Sequence, residues 1–133
     1  MADLSNRFPD RKRTSFLYIE DALDVRGEVA DFLRMVAGDV TEASNGTEGV
    51  RKFNENRPDV VITDIRMPGG LNGIEVAREI HRLSADTPVI VTTAYNEIGY
   101  REELAALGVK DILIKPFLLD RLRDVVEKYL VTH

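Results

Sequence analysis

The feature that most constrains this chain is a run of branched apolar residues closed by an acid, Asp59-Val-Val-Ile-Thr-Asp64, with Pro58 directly before it. A short continuous apolar run of this kind suits a strand covered on both faces, and such strands belong to parallel sheets whose crossovers are helices. Apolar runs also occur at Ser15-Phe-Leu-Tyr-Ile-Glu20, Pro88-Val-Ile-Val-Thr-Thr93 and Asp111-Ile-Leu-Ile114, and a further strand is expected over Asp39 to Ala43. Helical periodicity separates them. Leu23, Val29, Phe32, Leu33 and Val36 recur at three- and four-residue spacing before Gly38, and Val50 and Phe53 follow the Asn45-Gly46 turn and precede Pro58. Ile74, Ala77, Ile80 and Leu83 mark a third helix from Asn72 or Gly73, and a fourth is expected over about Glu97 to Leu107, closed by Gly108. Leu119, Leu122, Val125, Val126 and Tyr129 mark the last. Five strands alternating with five helices predict an α/β, doubly wound five-stranded parallel sheet with right-handed crossovers.

In such a sheet, ligands sit beyond the carboxyl ends of the strands. Glu20 and Asp21 follow the first strand, Asp64 ends the third, Thr93 the fourth, and Lys115 follows the fifth. Three carboxylates brought together without counter-charge repel one another and raise at least one pKa. A hard divalent cation relieves that repulsion, and Mg²⁺ prefers oxygen ligands. With a cation and the Lys115 ammonium on its oxygens, a phosphoryl group could be displaced by a carboxylate, and Thr93 could donate to a remaining oxygen.

Composition narrows the function classes. A length of 133 residues suits one domain, read as a flexible polar tail over 1–13 and a globular unit over 14–133. No apolar run is long enough to span a bilayer and no secretory signal is seen, so a cytoplasmic location is expected. The absence of cysteine excludes disulfides and thiolate chemistry. Eighteen basic against 23 acidic residues give a net charge of −5, which disfavours direct nucleic-acid binding; the basic cluster Arg11 to Arg13 reads as a solvated arm. His81, among charged neighbours, reads as solvated, and His133 as a loose terminus.

The elements Glu20-Asp21, Asp64-Ile-Arg-Met-Pro68, Asn72-Gly73, Thr93-Ala94 and Lys115-Pro116-Phe117 together resemble the receiver (phosphoacceptor) domain of two-component response regulators, over about residues 14 to 131. The resemblance implies a flavodoxin-like fold with strand order 2-1-3-4-5. It implies Asp64 as phosphoacceptor, with Glu20, Asp21, Asp64 and the Arg66 backbone carbonyl around Mg²⁺ or Mn²⁺. Thr93, Ala94 and Lys115 would bind the phosphoryl group and act as the switch, and the Lys115–Pro116 peptide would be cis. The chain would be a phosphoacceptor that catalyses its own phosphorylation and dephosphorylation rather than an enzyme with an external substrate. Its donor would be a histidine kinase, a histidine phosphotransfer protein or a small phosphodonor. A downstream protein would read the Glu97 to Leu130 surface, and a homodimer is compatible with the pattern. Because the chain ends one helix after Lys115, it is expected to act through protein contacts, to relay phosphoryl groups, or to be part of a larger regulator.

Three positions depart from the usual pattern or modulate it. Met67-Pro68-Gly69-Gly70 makes the loop after Asp64 one residue longer than usual. Ile112 stands where many receivers carry Tyr or Phe, so the usual coupling of the Thr93 hydroxyl to a rotating ring cannot operate as such; Tyr95 and Tyr100 are the alternatives, packing being the simpler role for each. Arg66 and Tyr95 would flank the path of water and slow acyl-phosphate hydrolysis.

Asp21 or Asp24 could cap a helix, Thr93 could satisfy local backbone, and Lys115 could form a surface ion pair. A haloacid-dehalogenase-like phosphohydrolase needs a second acid where Arg66 stands, and an FMN carrier needs phosphate donors where Glu20 and Asp21 stand. A receiver-like module acting without phosphorylation is the remaining alternative.

Overall fold

The computed structural model describes residues 14–94 and 99–130. The expected tail 1–13 with Arg11 to Arg13, the positions Tyr95 and Glu97, and His133 lie outside the described residues.

The chain alternates β1 (Thr14–Ile19), α1 (Leu23–Val36), β2 (Gly38–Ala43), α2 (Gly46–Asn56), β3 (Val60–Asp64), α3 (Gly73–Leu83), β4 (Val89–Ala94), α4 (Arg101–Ala106), β5 (Val109–Lys115) and α5 (Leu119–Glu127). The strands form one parallel sheet in the order β2-β1-β3-β4-β5, the flavodoxin-like order that was expected.

Side-chain alternation along the central strands builds two cores. Leu17, Ile19, Val61 and Val91 join Phe53, Val76 and Ile80 on one face, under α2 and α3. Phe16, Tyr18, Ile62, Ile90 and Leu113 join Leu33, Leu122 and Val126 on the other, under α1 and α5. Burial on both faces explains why these strands read as unbroken apolar runs.

Two asparagines set where helices begin. The Asn45 side chain accepts from the Glu48 amide to start α2, and Asn72 and Glu75 form a reciprocal capping box at α3. Gly73 is required there, because a Cβ would lie 2.1 Å from the Asp64 carbonyl oxygen. The start of α3 is thereby pressed against the end of β3, which fixes the loop that leaves Asp64.

The described fourth helix is shorter than the Glu97 to Leu107 expected, running from Arg101 to Ala106. Its apolar stripe is thin: Leu104 is its buried residue. Conversely β5 is longer than its apolar centre suggested, since edge pairing with β4 carries it from Val109 to Lys115. At the far end of the sheet, the Lys128 ammonium and the Tyr129 hydroxyl both donate to the Asp111 carboxylate, tying the end of α5 to β5.

Candidate functional site

The register brings the expected residues to one rim. Ile19 pairs with Thr63, Asp64 with Thr92, and Ala94 with Lys115, so Glu20, Asp64, Thr93 and Lys115 all lie at the carboxyl ends of their strands. Glu20 and Asp64 stand two residues beyond Tyr18 and Ile62, and Lys115 two beyond Leu113. They therefore continue the face that is covered by α1 and α5.

Lys115 is the hub. Its Nζ donates to Glu20 Oε1 at 2.6 Å and to Asp64 Oδ2 at 2.8 Å. Glu20 is 1% exposed, Asp64 13% and Lys115 29% at their side chains, so this is an enclosed pairing rather than the surface ion pair considered from sequence. Burial pushes the Glu20 pKa up; Lys115 opposes this, while Asp21 and Asp64 add to it. For Lys115, burial pulls the pKa down, but bonding to Asp64 and Glu20 outweighs it and the net direction is up. The site thus keeps a cation where the carboxylates would otherwise repel.

Glu20, Asp21 and Asp64 each offer a carboxylate oxygen, and those atoms lie within 4.8 Å of one another. The donor set is all oxygen and anionic, which fits Mg²⁺ or Mn²⁺ and does not suit a soft metal. The helix-cap reading of Asp21 and Asp24 does not hold. The N-cap of α1 is Ala22, without a side-chain cap, and Asp24 lies in the first turn.

The surrounding loops hold these groups in place. Arg26 of α1 donates from Nη1 to the Glu20 carbonyl oxygen at 2.9 Å and from Nε to Glu42 of β2 at 3.3 Å. Sequence reasoning missed Arg26; the only available signal was a cation one turn into the helix after the acids. After β3, Ile65 and Met67 turn inward while Arg66 is exposed. The longer loop uses Gly69 and Gly70 at φ of 76° and 156°. It rests on the start of α2, where the Leu71 amide donates to Thr47 Oγ1 at 3.2 Å.

Thr93 is buried, and its hydroxyl donates to the Ala94 carbonyl oxygen at 3.2 Å. Ile112 pairs in register with Val91 and packs, half-buried, against the core on the α2 and α3 face. Tyr100 is exposed and so is not seated in a core as a replacement ring, while Tyr95 lies outside the described residues. The Lys115–Pro116 peptide is cis. His81 is exposed beside Gly108. A groove of about 810 Å³ adjoins Lys115, lined by Val25, Val29, Pro116, Phe117 and Leu119 among others, with Leu23 and Leu118 exposed nearby. Among the described residues no helix is long and apolar enough to cross a membrane.

Comparison with known proteins yields matches over nearly all of this unit. The family profile described as the response regulator receiver domain matches residues 16–127. Chemotaxis protein CheY of Thermotoga maritima is 34% identical over 84% of this chain and 93% of its own. Sporulation initiation phosphotransferase F of Bacillus subtilis is 31% identical over 86% of this chain and 91% of its own. The solved structure of response regulator protein TrrA from Thermotoga maritima superposes with a TM-score of 0.77 at 33% identity, covering 88% of this chain and 99% of that one. Some matches are to parts of longer proteins, one solved chain being covered over 27% of its length.

Proposed function

The chain belongs to the response regulator receiver domain family of two-component systems, and from that premise we propose that Asp64 is its phosphoacceptor. The observation that carries the proposal is the Lys115 ammonium bridging Asp64 and the buried Glu20, with Asp21 beside them. Such a rim holds one carboxylate oriented for attack and a fixed positive charge where phosphoryl oxygens would lie.

In the proposed step an Asp64 carboxylate oxygen forms a bond to phosphorus. The phosphorus–nitrogen bond of a phosphohistidine donor breaks, and its electron pair leaves with the imidazole, neutral when the other ring nitrogen carries a proton. Lys115 follows the charge from the carboxylate to the phosphoryl oxygens, and the Thr93 hydroxyl, with the Ala94 backbone beside it, receives one of them. Glu20, Asp21, Asp64 and the Arg66 carbonyl would hold Mg²⁺ or Mn²⁺, which when bound supplies positive charge to those oxygens. The TrrA structure, a complex with Mg²⁺ and BeF, supports that assignment. The chain would thus promote its own phosphorylation and dephosphorylation.

The donor is a histidine kinase or histidine phosphotransfer protein meeting the chain in the cytoplasm, and the apolar groove beside Lys115 supports an approach from that side. The output is a downstream protein that reads the surface from Glu97 to Leu130. Ile112 leaves that output without the usual ring, so the signal would pass from Thr93 through the packing of β4 and β5.

Incubation with Mg²⁺ and acetyl phosphate, followed by intact mass, tests the reading. The wild type should gain one phosphoryl group and Asp64→Asn none. Equal gain in both proteins would reject Asp64, and no gain in the wild type with either acetyl phosphate or phosphoramidate would reject the reading as a whole.

A further inference from the structure

Two buried side-chain atoms among the described residues have no hydrogen-bond partner, the Tyr18 hydroxyl and Thr92 Oγ1. Leaving a buried hydroxyl unpaired is destabilising, so such groups call for an explanation. Both belong to the face that the functional rim continues. Tyr18 points with Phe16 and Ile62 into the core beneath α1 and α5. Thr92 follows Val91, whose side chain is on the opposite face, and stands two residues after Ile90, which is on this one.

Register then places Thr92 beside the reacting group. It pairs with Asp64 on one side and with Leu113 on the other. Adjacent strands lie about 4.8 Å apart, so the Thr92 and Asp64 side chains, on one face, are direct neighbours. In the resting protein the Asp64 carboxylate already takes its charge partner from above, from Lys115 to Oδ2. The Thr92 hydroxyl, on the residue paired in register with Asp64, is buried and has no hydrogen-bond partner.

We propose that Thr92 is a second hydroxyl donor of the phosphoacceptor site, distinct from Thr93, and that its acceptor is the Asp64 carboxyl oxygen that remains a carbonyl in the acyl phosphate. This rests on the assignment of Asp64 as phosphoacceptor. Once a phosphoryl group is attached, Lys115 turns to the phosphoryl oxygens and the acyl oxygen loses its partner. Thr92 replaces it from below. Hydrolysis makes the consequence measurable. The oxygen of water forms the new bond to phosphorus, the bond from phosphorus to the Asp64 oxygen breaks with its electron pair left on the carboxylate, and the protons of water leave with inorganic phosphate. Negative charge grows on the Asp64 carboxylate during that step, so a donor there stabilises the transition state more than the acyl phosphate. Thr92 therefore shortens the life of the phosphorylated form.

The test compares the wild type with Thr92→Val, which keeps shape and removes the hydroxyl, and with Thr92→Ser, which keeps the hydroxyl and removes a methyl group. Each is phosphorylated with acetyl phosphate and Mg²⁺, stripped of donor, and followed by intact mass. Thr92→Val should lose its phosphoryl group about tenfold more slowly, whereas Thr92→Ser should stay within about twofold of wild type. Without donor, Thr92→Val should melt no lower than wild type, since it removes an unpaired buried hydroxyl. Equal decay in wild type and Thr92→Val overturns the inference, as does equal slowing in Thr92→Ser, which would show that packing is responsible. A wild type that takes up no phosphoryl group would instead overturn the assignment of Asp64. Should Thr92→Val fail to fold, faster or unchanged decay in a Thr92→Ala protein overturns the inference in its place.

Discussion

Lys115 is shared between two carboxylates, and the consequences differ for each. Glu20 is fully enclosed, so removal of the ammonium leaves it charged without compensation, or protonated, while Asp64 keeps some access to water. Lys115→Met should therefore lower stability by about 1–3 kcal/mol, below the 3–5 expected for breaking a fully buried pair because the lysine itself is partly exposed. Urea unfolding at neutral pH measures this, and added Mg²⁺ should recover part of the loss in the variant. Arg66, two residues after the proposed phosphoacceptor Asp64, is exposed. Replacing Arg66 and Tyr95 together by alanine should shorten the acyl-phosphate lifetime several-fold, opposite in sign to removal of the Thr92 hydroxyl. An unchanged decay by intact mass would remove steric shielding from the account. The candidate site was legible in sequence where a polar or charged residue closes a strand, as at Thr93 and the acids, and not at Arg26, which lies within a helix. Glu20, Asp21, Asp64 and Lys115 could be placed at strand ends from the pattern alone, because charged groups closing apolar runs have few structural reasons to be there. Thr92 could not, since a threonine inside a strand is an ordinary strand residue until register shows what stands next to it.

Elements carry the site through their contacts at each end. At the rim, α3 begins against the carbonyl of Asp64, and Gly73→Ala would place a Cβ 2.1 Å from that oxygen. A loss of about 1–3 kcal/mol in stability is expected together with slower phosphorylation, measured on one sample by urea melt and mass labelling. At the opposite end, Asp111, Lys128 and Tyr129 hold α5 to β5, and they set a pH window. Burial pushes the Asp111 pKa up, but bonds from Lys128 and Tyr129 outweigh it, so its folded value lies below the usual carboxylate range. Its contribution to stability is present above the unfolded value of about 3.9 and is lost as pH falls through the folded one. Burial and then the Asp111 carboxylate push the Tyr129 pKa up, so its contribution is present below about pH 10 and is lost as pH rises further. In Asp111→Asn, urea midpoints across pH should show a shallower acid limb and a lower plateau. Element boundaries were legible where caps or glycines mark them, as at Asn45, Asn72 and Gly38. The fourth helix was not: one buried leucine is too weak a stripe to set its ends, and part of the expected span lies outside the described residues.

For the molecule as a whole, the order 2-1-3-4-5 turns an alternating chain into a single rim. Reversal of strand order beside β1 opens a crevice there, and the acids of β1 and β3 meet in it. The lysine reaches the same place from the sheet edge, because its side chain can span the width of a strand. The doubly wound parallel sheet followed from alternation and right-handed crossovers, and its strand order from the resemblance to receiver domains. The apolar groove beside Lys115 did not, since Val25, Pro116 and Phe117 come together only after α1 and the loop leaving β5 pack side by side.

The most direct test of the account reads the modified position itself. Protein treated with Mg²⁺ and acetyl phosphate is reduced with borohydride, which converts an aspartyl phosphate to homoserine, and its peptides are then sequenced by mass spectrometry. Homoserine at position 64, absent when Mg²⁺ is chelated, is the expected result; reduction at any other acid, or at none while the phosphoryl mass is present, would contradict it.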